Sequence, residues 1–222
     1  MPLGAAPPRR IEVAPDRFAG WIESFAGRHG AVTAQPVLAD EPVTFVAADG
    51  AMAACQVPFP PLPADDDADE VALAKRLAAH VTADRTVGVL LVRLGGYAAG
   101  VFTGVEPVLA ASKVGSRLVH GRSAAGGQSQ QRFARRRENQ ARQALTAAAD
   151  TAAAVFGPYK LDALVLGGDK RAFSSIKTDV RLAPVFEVAV DAFLTVPDPR
   201  LTVLKDTPRL FRAIKITLTE PE

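Results

Sequence analysis

At 222 residues, with 48% hydrophobic and 23% charged residues, the chain can bury the core of one large domain or two small ones and is not of disordered composition. Its net charge of +2 hides an asymmetry: residues 113–142 carry eight basic side chains against one acid, a local +7 that leaves −5 on the remainder. A single cysteine, Cys55, excludes an internal disulfide and a cysteine-based zinc site, and no apolar run reaches the roughly 18 residues of a membrane span.

Residues 1–14 are Pro-rich, lack the apolar core of a signal peptide and are expected to be poorly ordered. A soluble cytoplasmic protein is the resulting expectation. A helix is predicted from Pro15, with Phe18, Trp21, Ile22 and Phe25 on one stripe and Gly27 or Gly30 at its end. Trp21 could stack on a base, but its place in that stripe favours the core. Val43–Ala48 and Ala53–Val57 flank Asp49-Gly50 and predict a β-hairpin. Pro58 to Pro63 breaks structure. The acids Asp65, Asp66, Asp67, Asp69 and Glu70 then precede a helix to about Ala83. They suit the positive end of a helix dipole better than a metal, whose ligands should converge from separate segments.

Val87–Val92 is a continuous apolar run and predicts a buried strand. Tyr97–Val101 and Val105–Ala111 predict two more around Gly95-Gly96, and Val114–Val119 a strand leading to His120-Gly121. Gln130–Phe156 lacks Gly and Pro and predicts a long helix. Phe133, Ala141, Ala144, Leu145, Ala148, Ala152, Val155 and Phe156 form its apolar stripe. Its first turns are basic and expected to be exposed. Gly157-Pro158 stops it. Leu161–Leu166 is a second buried strand, Lys170–Val180 a helix, and Phe186–Leu194 and Ala213–Leu218 further strands around Pro197 and Pro199. The order strand, loop, helix, strand, helix implies an α/β fold (α+β at the N-terminus), a mixed central sheet flanked by helices. The expected division is 1–85, a helix, hairpin and helix, and 86–222, packed as one compact unit.

Between the strand and the long helix lies Gly126-Gly127-Gln128. The glycines allow positive φ and close approach of another molecule, and the glutamine amide both donates and accepts hydrogen bonds. Behind this tip stand Arg132, Arg135, Arg136 and Arg137. Such a concentrated basic segment is the footprint of a nucleic-acid contact. His29 and His80 fall in predicted helices and read as structural.

Gly126-Gly127-Gln128-Ser129, followed by Arg132-Phe133-Ala134-Arg135 and Arg137, resembles the catalytic middle domain of the archaeo-eukaryotic peptide-chain release factors. His120-Gly121-Arg122 is similar to the triplet before that tip. Leu164 to Gly168, with Phe173 and Lys177, is similar to the strand and helix that follow. The likeness spans roughly Val87 to Val190. It is nearest to the Vms-like release factors, actinobacterial branch, in which an arginine stands eleven residues before the glutamine, as Arg117 does here. Ser123-Ala124-Ala125 lengthens the loop relative to the termination factors, and neither a stop-codon-reading domain nor a large partner-binding domain is expected in a chain of this length.

The resemblance implies a peptidyl-tRNA hydrolase acting in ribosome rescue, with no cofactor or metal, as a monomer. Gln128 would orient water, and a backbone N–H at Gly126 or Gly127 would meet the oxyanion. Arg117 and Arg122 would hold phosphates of the tRNA end. Arg132, Arg135, Arg136, Arg137 and His120 would contact RNA of the large-subunit peptidyl-transferase region. One alternative is cleavage of the tRNA 3′ end, with Arg117 stabilising a phosphorane-like state and His120 the nearest acid or base. Another is a non-catalytic ribosome-binding module.

Overall fold

The computed structural model describes residues 7–35, 41–63, 69–93, 96–116 and 129–221. In chain order the strands are β1 (Arg9–Val13), β2 (Val32–Ala34), β3 (Val43–Ala47), β4 (Met52–Cys55), β5 (Val87–Arg93), β6 (Gly96–Thr103), β7 (Val108–Ser116), β8 (Ala163–Gly168), β9 (Ala189–Leu194) and β10 (Ile214–Thr219). The helices are α1 (Pro15–His29), α2 (Glu70–Thr82), α3 (Ser129–Phe156), α4 (Lys170–Ile176), α5 (Ala183–Glu187), α6 (Leu201–Lys205) and α7 (Thr207–Phe211). They fall into two units, Met1–Ala83 with Arg209–Glu222, and Asp84–Pro208.

The first unit is an antiparallel sheet of order β1-β10-β4-β3-β2 with α1 and α2 on one face. Pro15 opens α1 and Gly30, at φ 87°, closes it, while Gly27 lies inside the helix. The spacing of Phe18, Ile22 and Phe25 puts all three in the core. Trp21, half-buried, stacks on Phe18 and Phe25 at centroid distances of 6.4 and 5.5 Å, so it is a packing residue. Asp49 makes the hairpin turn: its Oδ1 accepts from the Ala51 N–H at 2.9 Å, and Gly50 takes φ 93°. That backbone donor, together with His29, whose Nδ1 lies 2.8 Å from Asp49 Oδ2, holds the Asp49 carboxyl below its ordinary pKa. Asp69 accepts from the Ala72 N–H at 2.6 Å and caps α2, whereas Asp65, Asp66 and Asp67 lie outside the described residues.

Two features of this unit depart from the sequence reading. Residues 9–13 are a strand, paired with β10 from Arg9↔Leu218 to Val13↔Ile214. The final strand, assigned by sequence to the 86–222 domain, sits between β1 and β4 in the first unit. Its alternation explains this, because Ile214, Ile216 and Leu218 all point into the core formed by Phe18, Phe45 and Leu77.

The second unit carries the mixed sheet, in the order β7-β6-β5-β8-β9. β5, β8 and β9 are mutually parallel, and β6 is antiparallel to both β5 and β7. The apolar runs of β5 and β8 are buried as expected of central strands. Leu90, Val101 and Leu164 pack there with Ala148, Ala152 and Phe156 of α3. Replacing Leu164, 0% exposed near the start of β8, with alanine should cost about 2–5 kcal/mol. Urea denaturation followed by circular dichroism checks this; an unchanged midpoint would contradict the packing described.

Several local boundaries differ from those predicted. Val105 lies in the turn between β6 and β7, and β7 then runs unbroken from Val108 to Ser116. α4 stops at Ile176. A 3-10 turn over Val180–Leu182 follows, capped by Asp179, whose Oδ1 accepts from the Arg181 N–H at 3.0 Å. Phe186 belongs to α5, so its strand begins only at Ala189.

Candidate functional site

β7 is antiparallel to β6, which is antiparallel to β5, so β7 runs the same way as β5, β8 and β9. Arg93, Ser116, Gly168 and Leu194 therefore end four strands at one edge of the sheet. The carboxyl edge of an open α/β sheet is where such folds place their ligands, since loops there can vary without disturbing the core. From this edge the chain leaves β7 toward Gly126-Gly127-Gln128 and returns as α3. Arg117, His120, Arg122, Gly126, Gly127 and Gln128 lie outside the described residues.

α3 spans 28 residues, about 42 Å at the rise of a helix. Its two halves differ. Arg135, Glu138, Asn139, Ala141, Arg142 and Gln143 are exposed, whereas Ala144, Ala148, Ala149, Ala152, Val155 and Phe156 are buried. Ala141, predicted in the apolar stripe, therefore belongs to the exposed half. The backbone of Arg132, Arg136 and Arg137 is helical. Glu138 and Arg142 approach to 3.5 Å as an i,i+4 pair, a modest local support in full solvent.

The buried half is anchored by charge as well as by packing. Arg181 Nη2 donates to Asp150 of α3 at 2.7 Å and to Asp179 at 2.6 Å. The side chain and backbone N–H of Arg181 hold the Asp179 carboxyl below its ordinary pKa. The helix is thus fixed along one half and exposed at the residues named in the other.

Beside the end of β7 is a cleft of about 450 Å³ that sequence reasoning missed. Arg93, Ser116, Asp198 and Arg200 supply its polar lining, and Gly96, Val114, Gly115 and Pro199 the rest. Arg93 Nη1 donates to the Val196 carbonyl at 2.8 Å, which orients the guanidinium. A side chain at 115 would meet the Tyr97 ring at 2.5 Å, so glycine is needed for the ring to lie there. The only sequence signal was a pair of opposite charges around Pro199, in a stretch read as a turn. Among the described residues no group of three or more His, Cys, Asp or Glu could hold a metal, and no helix is long and apolar enough to cross a membrane.

The comparisons with known proteins bear on this second unit above all. The profile of the Actinobacteria/chloroflexi VLRF1 release factor family matches residues 85–217. No curated protein matches the sequence. Among solved structures, the chain is similar to the archaeal translation termination factor aRF1, at 14% identity and TM-score 0.42, with 91% of this chain and 64% of that one covered. A structure described as an archaeal protein is similar at 11% identity and TM-score 0.31, with 91% and 65% covered. The chain thus spans less than two thirds of the length of either. The family profile takes in all five strands of the mixed sheet, the Gly-Gly-Gln segment and the whole of α3, and on that match the chain belongs to the Actinobacteria/chloroflexi VLRF1 release factor family.

Proposed function

We propose that this protein is a peptidyl-tRNA hydrolase that frees nascent chains from stalled ribosomes. The observation that carries the reading is a release-factor family match over residues 85–217 that includes Gly126-Gly127-Gln128 and the basic start of α3. Gln128 positions a water against the ester carbonyl joining peptide to tRNA. It has no useful pKa, so it acts by orientation, and the ribose hydroxyl of the substrate carries the proton. A backbone N–H at the adjoining glycines meets the developing oxyanion. Arg117 and Arg122 hold phosphates of the tRNA end. Arg132, Arg135, Arg136 and Arg137, with His120, contact RNA of the large ribosomal subunit.

The 3′ end of the released tRNA tests this. Stalled ribosome–peptidyl-tRNA complexes incubated with the protein should yield free peptide and an intact CCA end. A shortened tRNA bearing a cyclic phosphate would replace hydrolysis with strand cleavage and move the chemistry to Arg117. Binding without either product would leave a recruiting module.

The basic helix gives a second expectation. Arg135 is exposed, so charge reversal there should not disturb the core. Arg135→Glu with Arg136→Glu should weaken ribosome binding roughly tenfold or more and lower the slope of log affinity against log salt by about 1–2. Binding titrations at several salt concentrations check this, and an unaltered slope would rule out an RNA contact by these residues.

A further inference from the structure

We propose that the cleft beside the end of β7 binds one ribonucleotide unit of an RNA strand, its phosphate between Arg93 and Arg200 and its ribose hydroxyl at Asp198. This deepens the hydrolase reading and rests on it for the identity of the strand. The volume of about 450 Å³ is within the range of small-molecule sites and accommodates a nucleotide. Arg93 is already oriented by its bond to Val196, and a guanidinium has five N–H donors, so further donors remain for an anion.

Asp198 and Arg200 are exposed and form no ion pair among the described residues, although both line the same cleft. The proline between them is buried, and a side chain at Gly96 would meet Pro199 Cδ at 3.4 Å. Pro199 therefore packs against the start of β6 and fixes where its two charged neighbours emerge. Opposite charges held apart in one cleft select a ligand with complementary groups. A bare phosphate would be attracted by the arginines and repelled by the carboxylate. A phosphate with a hydroxyl donor beside it satisfies both, and the 2′-hydroxyl is the group that separates RNA from DNA.

The probe is a fluorescein-labelled cytidine-cytidine-adenosine trinucleotide, in ribo and deoxyribo forms, with binding to the full chain read by anisotropy. The wild type should prefer the ribo form. Asp198→Ala should bring the ribo-to-deoxyribo ratio close to one. Arg200→Glu should weaken both forms by roughly tenfold or more, as for loss of a charge-assisted contact. Both side chains are exposed, so neither change empties the core. Arg135→Glu with Arg136→Glu is the control, because general attraction to phosphate should lower both affinities and leave the ratio alone.

An unchanged ratio in Asp198→Ala, or unchanged affinity in Arg200→Glu, overturns the proposal. Adenosine monophosphate that competes as well as the unlabelled trinucleotide would make this a free-nucleotide site and overturn the strand assignment. Peptide release is measured in parallel. A wild type that releases nothing defeats the hydrolase reading and leaves the binding result standing. Normal release, with wild-type discrimination in both cleft variants, defeats the cleft alone.

Discussion

Gln128→Ala should lower peptide release by a factor on the order of 10²–10³ or more while ribosome binding stays nearly intact. The size of the loss follows from what the side chain supplies. A glutamine contributes no proton transfer at neutral pH, so the role proposed for it is to hold water where the carbonyl can be attacked. Removing such a positioning group acts on the transition state and leaves the ground-state contacts alone. In the proposed function those contacts come from Arg132, Arg135, Arg136 and Arg137, four or more positions along the chain. Binding and release therefore separate in this variant, whereas reversal of Arg135 and Arg136 should impair both. Single-turnover release at saturating protein, with binding measured in parallel, resolves the two. Undiminished release would remove Gln128 from the chemistry and leave Arg117 as the residue to test next.

Gly168→Ala should destabilise the second unit by about 2–4 kcal/mol, combining the strain of a left-handed residue with steric overlap. Gly168 has φ 103°, and an added Cβ would overlap the carbonyl oxygen of Val92 in the neighbouring strand. That oxygen cannot easily retreat, because it accepts from the Asp169 N–H at 2.8 Å and sits in the parallel pairing of β5 with β8. The strain also falls at a sensitive place. Asp169 caps α4 by accepting from the Arg171 N–H at 3.0 Å, and Val92 adjoins Arg93 of the cleft. Gly20→Ala supplies a contrast, since a Cβ there meets nothing within 4 Å and an exposed helical site gains about 0.5–1 kcal/mol from alanine. Urea midpoints for the two variants should move in opposite directions. A Gly168→Ala midpoint equal to wild type would mean that β5 and β8 can part at this end without cost.

Much of this architecture is legible in the chain because local physics dictates it. The stripe of Phe18, Ile22 and Phe25 fixes the buried face of α1, and the apolar runs of β5 and β8 mark strands covered on both faces. Gly157-Pro158 sets the end of α3. What was not legible depends on partners distant in sequence. Ile11 and Val13 alone are too short an alternation to declare a strand, and β1 exists because β10 supplies its ladder. Phe186 and Val188 looked like strand material, yet the strand waits until Ala189, where pairing with β8 begins. The site divides in the same way. Gly-Gly-Gln and the arginine-rich helix stand out because their residues are consecutive. Arg93 and Arg200 come to line one cleft only through the folding of the sheet edge, and no local pattern links them.

The pairing of β10 with β1 and β4 also sets an order of events during the protein's own synthesis. Residues 84–208 hold every strand of the mixed sheet and are all made before Ile214–Thr219. The first unit cannot finish, because its sheet lacks the strand between β1 and β4 until those residues emerge. Domains fold as units as they are translated, so the later-made unit should mature first and the amino-terminal segment should wait with Phe45, Ala53 and Ile11 uncovered. A chain cut back to residue 208 and freed from the ribosome would therefore carry a complete mixed sheet behind an unfinished first unit, a state open to chaperones and proteases.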